Sequence, residues 1–559
     1  MSAGSVQPWT SVPVRADAAK WTTGVAERTI LAVVHNVTAA TRLFDVLPLL
    51  ATDRRLQLIF TSPGSSAFSA GTAKHLVDRG IDAMPWDEAL RTRFDLAISS
   101  SYGGDLHRLQ APILTLPHGM GYNKYLTAGD GNPVFGLSPE WLEHDGVLVP
   151  TVIGLSHTEQ LTRLRDACPE AAAVAEVVGD PCFDRMLASR PLRALYRDAL
   201  GVRAGQRLVV VSSTWGNESL YGSNNELVRR LAARLPLDEY RIVYAVHPNV
   251  WFGHSSWQLH LWEKENSDSG VLVLPPEEGW RAALVAADLT IGDHGSVTFY
   301  SAALGTPVLL AAAPEHTVDP RSAIGRFLVA APKLDPREDL HEQVDLAIRT
   351  HRPADLAAVT SLATSVPGES ARRLRGTVYR ALRLSEPDTE CATDAVPIPS
   401  VPSSALGTHL VHTKVEATGP GLLHVTLTRH PAEPLHSPSP PEDTYLVVST
   451  AEPRRRWLEL AEILVHDGGP VEPRTLTELL AALPGCLLAV GRDNQGDWLV
   501  GSRGDTTMVR FSPGDAEGPI CASALHAWLS EGHDLHALPD QLVVRLGPRE
   551  TTLHPKLIR

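Results

Sequence analysis

Between residues 28 and 312, short apolar runs rich in β-branched residues alternate with segments of helical spacing. RTILAVVHN (28–36), RLQLIFTS (55–62), DLAIS (95–99), APILTLPHG (111–119) and GVLVP (146–150) read as strands, with helices over 37–51 and 66–79. The pattern restarts after GDPCFDRML (179–187). Strands are expected at 207–215, 240–248, 270–275, 287–295 and 306–312, and helices at 224–235, 257–265, 280–286 and 296–304. Strands separated by helices of 10–15 residues mean a parallel sheet with crossover helices. Runs that are apolar throughout, rather than alternating, belong to strands covered on both faces. Two α/β domains of Rossmann type follow, 28–180 and 181–384, the second ending in a helix at 369–384. Residues 1–27 read as an irregular lead-in and 385–405 as a Pro/Ser-rich linker. Residues 406–559 read as an α+β domain, interrupted by a Pro-rich loop at 431–443. Its expected strands are 422–430, 444–450 and 486–493, with hairpins at 497–512 and 541–554 and helices at 454–466, 475–483 and 521–531.

Charge and cysteine usage narrow the function classes. With 50 Lys and Arg against 64 Asp and Glu, the 559-residue chain has a formal charge of −14. Dedicated nucleic-acid binders show a basic surplus instead. The five cysteines are scattered, without CxxC or Cys/His ligand spacing, which fits a reducing cytoplasm and neither a disulfide framework nor a structural zinc site. No signal peptide is read at the N-terminus. The most apolar stretch, AALGTPVLLAAAP, is broken by Gly and Pro and falls short of the ~18 residues that span a bilayer.

In open parallel sheets, ligands bind beyond the carboxyl ends of the strands. After 111–116 comes PHGMGYNKY, where His118 can act as a general base and Gly119 allows close approach to a ligand. After 207–211 come Ser213 and Thr214, as phosphate donors or as helix caps. After 240–246 comes His247, locked by Pro248. After 287–291 comes Asp293-His294-Gly295-Ser296, then a helix. Free N–H groups and the positive dipole end make such a terminus a phosphate site, with Ser296 and Thr298 as hydroxyl donors and Asp293 as cap or partner of a histidine.

The ordered series PHGMGYNK, GDPCFDR, SSTW, VHPN, AADLTIGDHGSVTFYSAALGTPVLL and VPGESARRL resembles the CDP-glycerol glycerophosphotransferase family of teichoic-acid synthesis. The resemblance covers about 30–384 and implies the GT-B fold, two Rossmann-like lobes facing across a cleft. Carried over by position, it implies His118 as the base that deprotonates an acceptor hydroxyl and His247 as the residue assisting the diphosphate. Ser296 and the backbone at Gly295 would hold phosphate, with Thr214 nearby. The chain departs from the family pattern at Pro117, which stands for a Trp, at His294, which stands for a Tyr, and at three glycines. Gly216 stands where an Arg usually follows the Trp, and Gly292 and Gly295 replace hydroxyl residues, which removes phosphate ligands.

The expected activity is therefore transfer of a polyol-phosphate or glycosyl group from a CDP- or UDP-linked donor to an acceptor hydroxyl, free or lipid-linked. It needs no metal or other cofactor, and its place is the cytoplasm or the inner membrane face. Rival readings are a non-catalytic nucleotide-binding protein on a degenerate core and a UDP-N-acetylglucosamine 2-epimerase-like enzyme. The third domain carries no motif that assigns it a role.

Overall fold

The computed structural model describes residues 23–24, 26–125, 133–401, 407–419, 422–432, 443–512, 514 and 516–558. Most of the expected lead-in, 402–405 of the linker and 433–442 of the Pro-rich loop lie outside them.

The first lobe is a seven-stranded sheet ordered Ala83–Met84, Leu56–Thr61, Arg28–Val33, Leu96–Ser99, Ile113–Thr115, Val152–Leu155, Ala175–Val177. Every pairing is parallel. The second lobe repeats the plan with five parallel strands, ordered Leu272–Val273, Tyr240–Val246, Arg207–Ser213, Leu289–Gly292, Val308–Leu310. In both, the first strand lies centrally and the order reverses beside it, so each lobe has its own switch point. The β-branched runs fill the cores: Ile30, Leu31, Val33, Val209, Val210 and Val211 are wholly buried. This is the GT-B arrangement, and the two switch points face each other.

One expected strand is corrected. Val147–Leu148 does not enter the sheet; it pairs antiparallel with Glu143–His144. Asp145 and Gly146 both adopt positive φ (51° and 74°), the tight turn that an Asp-Gly pair favours. The sheet strand is Val152–Leu155, entered after Pro150. The helix Ser370–Leu382 turns back across the molecule. Leu374, Val378, Tyr379 and Leu382 pack in the first lobe's core, and Tyr379 donates a hydrogen bond to Asp53 (2.6 Å).

The third domain is built on one ten-stranded mixed sheet that includes the long strands Thr408–Gly419 and Leu422–Pro431. The helix Gly518–Ser530 covers one face, and Arg455–Leu460 with Pro473–Ala482 covers the other. Both expected hairpins form, Trp498–Ser502 with Met508–Phe511 and Leu542–Leu546 with Arg549–Leu553. The helix expected over 454–466 is corrected: it ends at Leu460, and Ile463–His466 is a strand. Ile463, Leu464 and Val465 are all buried between two parallel neighbours, where stiff β-branched side chains pack well. Among the described residues no helix is long and apolar enough to cross a membrane.

Candidate functional site

A cleft of about 1080 Å³ opens between the lobes, where both sheets present their carboxyl ends. The loop 117–125 forms the first-lobe wall; 212–218, 247–249 and 294–297 form the opposite wall. Nine of the residues expected from sequence line it: His118, Gly119, Ser213, Thr214, His247, Pro248, His294, Gly295 and Ser296. Two do not.

Asp293 is wholly buried behind the cleft wall. Its Oδ2 accepts from the backbone N–H groups of Thr214 (2.8 Å) and Leu220 (3.0 Å) and from the Ser213 hydroxyl (3.2 Å). Its Oδ1 accepts from Gly295 N–H (3.0 Å). The carboxylate thus ties together the loops that follow the strands Arg207–Ser213 and Leu289–Gly292. Burial pushes its pKa up, against the N–H groups that hold it charged. It is a brace rather than a group that reaches substrate. Thr298 is also wholly buried, packed against Gly292, so its hydroxyl is no phosphate donor.

The three cleft histidines are neutral at pH 7. The His118 ring is exposed to the cleft, yet the lobes around it strip away enough water to lower its pKa to about 4, with Arg42 adding repulsion. One of its ring nitrogens hydrogen-bonds the Ser100 carbonyl, which orients the ring and fixes the tautomer. The other nitrogen has no hydrogen-bond partner among the described residues. His247 caps the helix Pro248–His254, its Nδ1 accepting from Asn249 N–H (3.0 Å), so its proton sits on Nε2. Burial lowers its pKa to about 3, with Lys124 second. His294 is 5% exposed, its Nδ1 has no partner among the described residues, and burial likewise lowers its pKa to about 3.

The cation that these imidazoles share is Lys124. It lies six residues after His118 within the PHGMGYNKY run, but a lysine carries no local signal of what it faces across a cleft. Its Nζ donates to Thr214 Oγ1 (3.3 Å) and lies 5.9 Å from the centre of the Trp215 ring. No carboxylate among the described residues pairs with it. Burial lowers its pKa, and Asp293 partly offsets this. The loop that carries it crosses to the second lobe: Tyr125 N–H donates to Thr317 O (3.0 Å) and Asp319 N–H to Asn123 O (2.9 Å).

Other bridges hold the lobes at this separation. Arg42 donates to Asp180 (2.8 Å), to the Gly119 carbonyl (3.0 Å) and to the Tyr300 hydroxyl (3.1 Å). Ser296 Oγ accepts from Met120 N–H (3.0 Å), and a Cβ on Gly119 would lie 2.8 Å from that oxygen. Glycine is required at 119 by the approach of the lobes, and the Ser296 hydroxyl is partly committed to the seam. The helix Ser296–Ala303 has no side-chain cap at its N-terminus, which leaves first-turn N–H groups for a ligand. The carboxylates lining the cleft, among the described residues, are Asp45 and Glu218. Asp45 is held by Arg185 (2.6 Å) and Arg281 (3.0 Å), and Glu218 by His316 (2.9 Å).

No family model and no curated protein sequence matches the chain. Solved structures similar to it include the wall teichoic acid polymerase TagF, at 12% identity over 64% of this chain and 90% of that one, with a TM-score of 0.44. They also include UDP-GlcNAc 2-epimerase from Neisseria meningitidis bound to UDP-GlcNAc (12% identity, 63% of this chain and 100% of that one, TM-score 0.38). An S. aureus MnaA–UDP co-structure is similar at 11% identity, over 66% of this chain and 99% of that one, with a TM-score of 0.38.

Proposed function

We propose that the chain is a transferase that moves a polyol-phosphate or glycosyl group from a nucleotide-diphosphate donor to an acceptor hydroxyl. The observation that carries this reading is one ammonium without a carboxylate partner, Lys124, among three neutral imidazoles at a helix N-terminus. An anion is the missing partner of such a set. The diphosphate would lie between Lys124, the His247 Nε2–H, His294 and the first turn of Ser296–Ala303. The order of motifs from PHGMGYNK to VPGESARRL favours a CDP-glycerol-like donor and a place in the cytoplasm or at the inner membrane face.

The acceptor hydroxyl would enter beside His118, whose free ring nitrogen takes its proton as the oxygen attacks. With a CDP-polyol donor, the new oxygen–phosphorus bond forms as the bond to the bridging diphosphate oxygen breaks, and CMP leaves. With a glycosyl donor, the sugar carbon–oxygen bond breaks instead and the nucleoside diphosphate leaves. Fixed donors receive the departing charge in either case. The arriving diphosphate also cancels the repulsion of Lys124 and Arg42 on His118 and so strengthens it as a base. Epimerisation needs carboxylates free to move protons, and of the two that line the cleft Asp45 is held between Arg185 and Arg281.

The test is a thermal-shift series with CDP, UDP, GDP and their conjugates, followed by transfer assays. Binding that weakens in Lys124→Met, and transfer that falls at least about a hundredfold in His118→Ala with binding retained, is the expected result. Transfer unchanged in folded His118→Ala would overturn the base assignment. Absence of any nucleotide-induced shift would overturn the nucleotide-donor reading and favour a non-catalytic protein.

A further inference from the structure

A second cavity, of about 1640 Å³, lies between the second lobe and the third domain. Arg203 precedes the strand Arg207–Ser213, and Arg241 stands at the start of Tyr240–Val246. The cavity therefore sits at the amino ends of the strands, on the far side of the lobe from the cleft. From the third domain, Arg429 and His409 reach the same floor. Leu261 and Trp262, 53% and 48% exposed, form an apolar lip.

The arginines at the floor are unevenly paired. Asp238 is buried and accepts from Arg429 (2.6 and 2.8 Å) and from Arg203 (3.3 Å), with Arg549 at 3.8 Å. Arg429 has a second carboxylate, Glu517, at 3.6 Å. Arg241 has none among the described residues: its Nε and Nη1 donate to the carbonyls of Leu200 (3.3 Å) and Gly270 (2.7 Å). Burial lowers its pKa, and repulsion from Arg203 adds to this. Three guanidinium groups thus gather on Asp238, while Arg241 donates to backbone carbonyls. Of the other acidic groups lining the cavity, Asp268, Glu265 and Glu452 pair with Lys264, Arg229 and Arg454. Asp198 and Asp467 line it as well, and among the described residues neither is ion-paired with Arg241.

We infer that this floor is a second ligand site, taking the phosphate group of a small organic phosphate or diphosphate on Arg203 and Arg241. Guanidinium groups match phosphate oxygens in geometry and stay charged when partly buried. The lip at Leu261 and Trp262 suits the organic part of such a ligand. The site is independent of the cleft and of the reaction proposed for it.

Calorimetric titration of the full chain with inorganic pyrophosphate tests the inference. Lys124→Met, which removes the cleft's cation, should retain one salt-sensitive binding event. Adding Arg241→Gln to that variant should weaken the event at least about tenfold, the worth of one charge-assisted contact. Arg203→Gln, whose side chain is 40% exposed and so tolerant of change, should do the same. The inference is overturned if Lys124→Met binds no pyrophosphate, or if neither arginine substitution weakens what it binds. An event present in Arg241→Gln and absent in Lys124→Met belongs to the cleft and bears on the transferase reading alone.

Discussion

Gly292 shows how a residue read as a lost ligand can be a packing requirement. A Cβ there would lie 2.1 Å from Thr298 Oγ1 and 3.1 Å from the Ser212 carbonyl. Thr298, expected to offer its hydroxyl to phosphate, instead fills the space that a larger residue at 292 would occupy. Its hydroxyl is buried without a partner among the described residues. The two positions are therefore coupled, and transferring ligand roles by motif position fails where such an exchange of volume has occurred. Gly292→Ala should destabilise the chain by about 1–3 kcal/mol, the range for overpacking a core. Thr298→Ala in the same molecule should recover at least about 1 kcal/mol of it, read as the midpoint of urea unfolding. Additive losses would show that the two sites do not share this space.

At the level of elements, Asp293 is the joint between the strand ends Arg207–Ser213 and Leu289–Gly292. Asp293→Asn keeps the shape but replaces an oxygen with an N–H₂ group, so buried N–H donors of Thr214, Leu220 or Gly295 lose their acceptor. A loss of roughly 2–5 kcal/mol in stability is expected, with nucleotide binding weakened in proportion as the loops separate. Normal stability with abolished turnover would instead make Asp293 a chemical participant. The parallel strands were legible because a run such as LVVV or ILAV has one stable place, between two covering layers. Val152–Leu155 was not, since only the Asp-Gly turn decides that the apolar run before it folds back on itself. The helix at 370–382 was legible from its spacing, but its docking on the first lobe depends on contacts more than 300 residues away, such as Tyr379 with Asp53. The same holds for the site. His118, His247 and His294 stand at strand ends that a sequence reveals, whereas the partner of Lys124 belongs to the other lobe.

For the molecule as a whole, buried neutral histidines set the response to acid. Burial lowers His247, His294 and His409 to about 3 and His75 and His430 to about 4. Each stays neutral in the folded chain but takes up a proton near pH 6.5 once unfolded. Between pH 6.5 and these lowered values the unfolded state binds more protons, so stability falls as pH falls through that window. The net charge of −14 works the other way, because lowering the pH relieves repulsion among the acidic groups. A melting temperature that declines steadily from pH 7 to 5 would show that the histidines dominate; one that rises would show that relief of acidic repulsion outweighs them. Catalysis follows the same groups. With His118 lowered to about 4, kcat/KM should stay flat from pH 8 down to about 5.5, where an ordinary histidine base would already have lost most of its activity. Lys124, also lowered by burial, should bring the alkaline limb in below the 10.5 of a free lysine. An acid limb centred near 6.5 in the folded enzyme would place the base in bulk water, outside the closed cleft described here.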